Sequence, residues 1–210
     1  MVDDFFERVL TRTQAWPLGR SDLHWHILHD PTVVEEKLSG PYRELTSRPG
    51  LGRVEAQWLH TTLMHGGPMD EYKPGEVEAI IERVAEQCAS ISPFELTYER
   101  PAIGNVAVEL AAHPGREARR LWEITTNVDA EVTGGRFPRM PSAYYPHASL
   151  AYGVAGSERP DRLTMKVLLS DHPGGPVTLP VDRISLVAQR HDARFITWTH
   201  IADVRLGTAS

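Results

Sequence analysis

His60-Thr61-Thr62-Leu63 and His147-Ala148-Ser149-Leu150 share the form His-x-(Thr/Ser)-apolar. On an extended strand, residues i and i+2 point to the same face. Each tetrapeptide therefore presents an imidazole beside a hydroxyl: His60 with Thr62, and His147 with Ser149. Leu59, Thr61, Leu63, Ala148 and Leu150 face the opposite way, toward whatever covers the strands. Two such faces across a cleft suit phosphodiester chemistry. A neutral imidazole takes the proton of an attacking hydroxyl or water, and a protonated one delivers a proton to the leaving oxygen. The unperturbed histidine pKa near 6.5 serves both roles and implies a bell-shaped pH profile around neutrality. The hydroxyls hydrogen-bond the non-bridging oxygens as negative charge builds up. The scheme calls for no metal and no cofactor.

Two similar successions of elements have to position these motifs. In the first, Leu23, Trp25 and Ile27 alternate with His24, His26 and Leu28, a strand pattern. Pro31 opens a helix through Val34, Leu38, Tyr42 and Leu45, broken or kinked at Gly40-Pro41. Pro49 to Gly52 is a turn, and Ala56 to Met64 reads as the strand bearing His60, ended by Gly66-Gly67-Pro68. Val77, Ile80, Ile81, Val84, Ala85 and Cys88 then recur at helical spacing, and Phe94 to Glu99 is a strand.

In the second, Val106 to Leu110 alternate as a strand. Pro114-Gly115 opens a helix carrying Leu121, Trp122, Thr125, Val128 and Val132. Tyr144 to Tyr152 is the strand bearing His147. Arg159 to Leu169 reads as a helix, and 177–189 and 194–204 as strands forming a hairpin near His191. A short amphipathic helix with Phe5, Phe6, Val9 and Leu10 precedes everything. The implied fold is α+β and bilobal: two pseudo-symmetric lobes of mainly antiparallel sheet (about 20–100 and 101–205), helices outside, a cleft between.

Several further residues have two readings. Trp58 and Tyr145 lie two residues before the motif histidines, so each stacks on a base or packs in the core or rim. Arg136 and Arg139 sit in a Gly/Pro-rich loop before the second motif and either contact phosphate or are solvated loop charges. His24 and His26 share one strand face and either line the cleft or are solvated or satisfied histidines; as a metal pair they lack an evident third ligand. Gln189 and Ser185 share a face of a late strand and contact ligand if that strand lines the cleft. His65, beside the glycines, reads as a surface residue. Cys88 falls on the apolar stripe of its helix and reads as core rather than nucleophile.

The two motifs, in the contexts Trp58-Leu59-His60-Thr61-Thr62-Leu63 and Tyr145-Pro146-His147-Ala148-Ser149-Leu150, resemble those of the two-histidine (2H) phosphoesterase superfamily. The early strand Leu23 to Leu28 and Pro49-Gly50-Leu51 extend the similarity, which covers about residues 20 to 205. Among its branches the chain is most similar to the 2'-5' RNA ligase and cyclic phosphodiesterase group. The resemblance implies a bilobal α+β fold and 2',3'-cyclic phosphate or 2'-5' phosphodiester substrates, with ligation as the reverse reaction. It makes His60 and His147 the catalytic histidines and Thr62 and Ser149 the phosphate-binding hydroxyls. RNA-processing members often carry an arginine shortly after the second motif; here Ala151-Tyr152-Gly153 follow instead.

Composition sets outer limits. The chain has 210 residues, 41% of them hydrophobic and 24% charged, ordinary for a globular protein. The formal net charge of −6 argues against coating long nucleic acid. It leaves room for a small nucleotide or one RNA end. A single cysteine excludes an internal disulfide and fits a reducing, cytoplasmic setting. Met1 to Thr13 carries Asp3, Asp4 and Glu7 and does not read as a signal peptide, and no apolar run reaches membrane-spanning length. A monomer with no obligate protein partner is expected. The rival from another class is a nucleotide- or RNA-binding module with the same cleft and little turnover.

Overall fold

The computed structural model describes residues 1–11, 15–156 and 158–207. Its elements run α1 (Phe5–Leu10), β1 (Asp22–Ile27), α2 (Pro31–Val34), α3 (Arg43–Thr46), β2 (Leu51–Arg53), β3 (Thr61–Pro68), α4 (Glu76–Cys88), β4 (Phe94–Tyr98), β5 (Ala102–Ile103), β6 (Ala107–His113), α5 (Gly115–Thr133), β7 (His147–Gly153), α6 (Arg162–Ser170), β8 (Val177–Val181), β9 (Arg183–His191) and β10 (Ile196–Arg205).

Local chemistry accounts for many of the boundaries. The carboxylates of Asp4, Asp30 and Asp161 accept backbone N–H groups at the starts of α1, α2 and α6, satisfying donors that have no intrahelical partner. Between α2 and α3 the chain winds through a π turn, Glu35–Ser39, and a 3-10 turn, Gly40–Tyr42. Pro41 has no N–H to give, so a regular α-helix cannot pass through it. α5 stops at Gly134, whose φ of 66° is left-handed.

The strands form an antiparallel sheet in the order β10-β9-β1-β3-β7-β6-β4-β8, with β2 added to β7 and β5 to β6. The sheet curls into a half-barrel. Helices α4 and α5 pack on each other, α5 against β3 and α4 against β10. Leu23, Trp25, Ile27, Leu63, Leu110, Leu121 and Leu150 are fully buried in the core. Cys88, a free thiol, is buried there too.

Strand pairing crosses the expected division near residue 100. β4 pairs with β6 and β8, while β9 pairs with β1. The order is nonetheless symmetric about its middle, with the two motif strands, β3 and β7, adjacent at the centre. Two expected strands also differ. The segment expected as one strand over 177–189 is two, separated at Asp182 and lying in opposite halves of the sheet. Pro180 is tolerated because β8 is an edge strand. The strand expected from Ala56 begins only at Thr61, after a 3-10 turn over Ala56–Trp58, and runs through Gly66 and Gly67 to Pro68. Glycine is required at 67, where a Cβ would lie 2.1 Å from the Phe137 ring.

Candidate active site

Thr61 and Ala148 are Cα partners, joining β3 to β7. Both are buried, facing away from the cleft with Leu63 and Leu150. The Thr61 hydroxyl is held at 2.8 Å by the buried Tyr98 hydroxyl, which also bonds His29 Nε2 at 2.9 Å. The alternate residues, His60, Thr62, His147 and Ser149, all line one cavity of about 730 Å³, within the size range of small-ligand sites.

The two imidazoles are oriented alike. His60 Nδ1 donates to the carbonyl of Trp58 (2.8 Å), and His147 Nδ1 to that of Tyr145 (3.1 Å). A carbonyl only accepts, so each Nδ1 carries the hydrogen and each Nε2 is left for proton transfer. Their environments differ. His60 is buried, with Trp198 edge-on at 5.0 Å and His26 stacked at 4.2 Å. Burial, reinforced by the neighbouring His147, lowers its pKa to about 4. His147 is partly exposed and stacks against Tyr145 at 4.7 Å.

Of the other candidates, Tyr145 and Gln189 line the cavity. Tyr145 is 59% exposed, an open platform, whereas Gln189 is buried. His24 and His26 stand behind the cavity rather than in its wall. Both are buried, and desolvation lowers His24 to about 3 and His26 well below its usual value. His26 supports the His60 ring. His24 Nδ1 bonds the Asp22 carbonyl at 3.0 Å and its Nε2 meets His65 Nδ1 at 2.9 Å. Among the described residues no three His, Cys, Asp or Glu side chains are grouped to hold a metal ion.

Trp58, Arg136 and Arg139 do not line this cavity. The 3-10 turn at Ala56–Trp58 breaks strand alternation, and Trp58 packs edge-on against Trp198 at 4.9 Å. Arg136 forms an ion pair with Glu76 and bonds the carbonyls of Thr133 and Glu71. Arg139 holds Thr126 Oγ1 and Asn127 Oδ1 and lies over the Trp122 ring. Ser185, paired with His26 on β1, is buried and bonds Asp203 at 2.7 Å.

The cavity also contains residues that alternation does not point to. His65 is one. Thr62 and His65 are three apart and would normally face opposite ways, but β1 pairs His26 with Thr62 and His24 with His65. The irregularity between those pairs inserts an extra residue and returns His65 to the motif face. Glu109, the cross-strand partner of Ser149, lines the cavity as well. So do Phe5, Arg8, Val9 and Thr11 from α1 and the residue after it. The amphipathic pattern of α1 is visible in the sequence, but not where it docks.

Comparison with known proteins agrees with this fold. The structure resembles that of TT0787 of Thermus thermophilus, with a TM-score of 0.67 and 18% identity, covering 90% of this chain and 100% of that one. It also resembles E. coli LigT complexed with 3'-AMP, with a TM-score of 0.64 and 17% identity, covering 89% of this chain and 98% of that one. A structure described as a phosphoesterase gives a TM-score of 0.63 at 18% identity, covering 90% and 99%. At these identities the likeness shows the fold. No curated protein matches the sequence. No helix among the described residues is long and apolar enough to cross a membrane. Residues 34–193, more than half of the chain and including both motifs, match the family model of the 2'-5' RNA ligase superfamily, and the chain belongs to that family.

Proposed function

We propose that the chain is a metal-independent phosphodiesterase acting on 2',3'-cyclic phosphate or 2'-5' phosphodiester groups of a nucleotide or RNA end. One observation carries the reading. Two imidazoles lining one cavity each have Nδ1 committed to a backbone carbonyl two residues earlier, and each has a motif hydroxyl beside it.

His60 is the base in this reading. Held neutral by burial, its Nε2 accepts a proton from the attacking water as the new P–O bond forms. His147, at the wetter side of the cavity, gives its Nε2 proton to the ribose oxygen as the old P–O bond breaks. Thr62 and Ser149 donate hydrogen bonds to the non-bridging oxygens, whose charge grows in the transition state. Tyr145 offers a ring face to the base. Ligation is the same step with a hydroxyl of a second RNA end attacking in place of water, and cleavage of a 2'-5' diester to the cyclic phosphate is its reverse. Release of nucleoside monophosphate from a panel of nucleoside 2',3'-cyclic phosphates, with His60→Ala as the control, tests this function.

A further inference from the structure

A cavity that handles phosphate in a protein of net charge −6 needs a local cation. Arg136 and Arg139 are engaged elsewhere. Among the described residues, Arg8 is the one lysine or arginine lining the cavity. It is exposed, and its guanidinium makes no hydrogen bond or ion pair with the described residues. Arg8 lies outside the family-matched span of 34–193.

The segment carrying Arg8 is firmly placed. Val2 N–H donates to the Pro160 carbonyl at 2.8 Å, and Asp3 N–H to the Asn105 carbonyl at 2.7 Å. Gly153 lets the segment cross β7, since a Cβ there would sit 2.1 Å from the Asp3 carbonyl oxygen. Phe5 and Phe6 then pack on Tyr152, with centroids 4.5 and 5.8 Å away. Tyr152 is three residues beyond Ser149 on β7, which at about 3.3 Å per residue is roughly 10 Å along the strand. Arg8 follows Phe5 by one helical turn, and both line the same cavity as Tyr152. The exposed Asn105, whose side chain has no partner among the described residues, lines the same cavity. The cavity's carboxylate, Glu109, is register partner to Ser149 and would repel a further phosphate near the motifs.

We infer that Arg8 and Asn105 form a second phosphate subsite, so that the preferred substrates carry a phosphate in addition to the scissile one. This rests on the phosphodiesterase reading of the motif pair. A guanidinium fork matches a terminal phosphate with two charge-assisted hydrogen bonds, and an amide adds a third.

The test compares adenosine 2',3'-cyclic phosphate with its 5'-phosphorylated form, for the full chain and its Arg8→Gln and Arg8→Lys variants. The wild type is expected to favour the 5'-phosphorylated substrate about 10- to 100-fold in kcat/KM, the gain from a charged hydrogen-bond pair. Arg8→Gln should bring the ratio near one, and Arg8→Lys should recover part of it. A wild-type ratio near one, or a ratio unchanged in Arg8→Gln, overturns the subsite. If neither substrate is turned over, the phosphodiesterase reading fails, and calorimetric binding decides the subsite separately. Adenosine 3',5'-bisphosphate should bind more tightly than 3'-AMP to the wild type and not to Arg8→Gln. Equal binding of the two by the wild type overturns the subsite independently of catalysis.

Discussion

Thr61 and Ala148 are cross-strand Cα partners at the centre of the sheet. Because the strands are antiparallel, one step in either direction leads from this pair toward Thr62 and His147 on one side, and His60 and Ser149 on the other. Each imidazole is thereby brought toward the hydroxyl of the other motif. The symmetry lies in the register. The inequality comes from what surrounds each ring: His26 and Trp198 enclose His60, while His147 has the exposed Tyr145.

That inequality alters the expected pH profile. If His60 is the base, its low pKa of about 4 keeps it competent well below neutrality. We expect kcat/KM not to fall as pH is lowered from 7 to 5.5, measured with a cyclic nucleotide under subsaturating conditions. A reversible acid limb near 6.5 would contradict the assignment of His60 as base. The profile thus departs from a bell centred on neutrality because burial penalises the imidazolium.

Stability should respond to acid for the same reason. His24, His26, His29 and His60 are neutral in the fold, with pKa values lowered chiefly by desolvation. Unfolded histidines titrate near 6.5. Below that pH the unfolded chain binds more protons, so stability falls as pH falls, until each folded-state pKa is reached. Each group contributes ~1.4 kcal/mol per pH unit within its window. Four such groups rival a total stability of about 5–15 kcal/mol. Calorimetry should show Tm dropping steeply between pH 6.5 and 5; a flat Tm there would contradict neutral burial of the cluster.

Tyr98 anchors the motif strand from behind. Tyr98→Phe removes the buried hydroxyl that bonds both Thr61 and His29. Stranding those groups should cost about 1–3 kcal/mol, and each kcal/mol lowers Tm by about 2–4 °C in a chain this size. Thermal unfolding of the purified variant checks this, with an unchanged Tm as the contrary result.

Much of this arrangement is legible in the sequence, and the exceptions have physical causes. The stripe Val77, Ile80, Ile81, Val84 and Cys88 marks α4 because one helix face is covered by the core. The motifs mark the cleft face because alternation holds locally from Thr61 to Leu63 and from His147 to Leu150. His65 escapes a reading by alternation because an extra residue in the β1–β3 register reverses parity, and such bulges have no reliable sequence mark. Trp58 escapes it because a 3-10 turn replaces the strand. The arginines of the loop find partners on helices, Arg136 on α4, 60 residues away, and Arg139 on the preceding α5. The halves exchange strands for a like reason: nothing local to β4 or β9 encodes which strand it will pair with.

The roles of the hydroxyls and the proposed metal independence each have a direct test. Thr62→Ala and Ser149→Ala each remove one hydrogen bond to a charged phosphate, about 1.5 kcal/mol, or on the order of tenfold in kcat/KM. Activity should withstand EDTA, since proton transfer and charge stabilisation both come from side chains. Loss on chelation, restored by zinc or manganese, would transfer the chemistry to a metal centre.

The central claim is tested most directly by single-turnover hydrolysis of nucleoside 2',3'-cyclic phosphates by the wild type, His60→Ala and His147→Ala, with folding verified by circular dichroism. A positioned acid or base typically contributes about 10²- to 10⁴-fold. Each single variant should lose about that factor, and the double variant should lose less than the product because the pair acts as a unit. A folded His147→Ala or His60→Ala protein that turns over substrate at the wild-type rate would contradict the two-histidine mechanism.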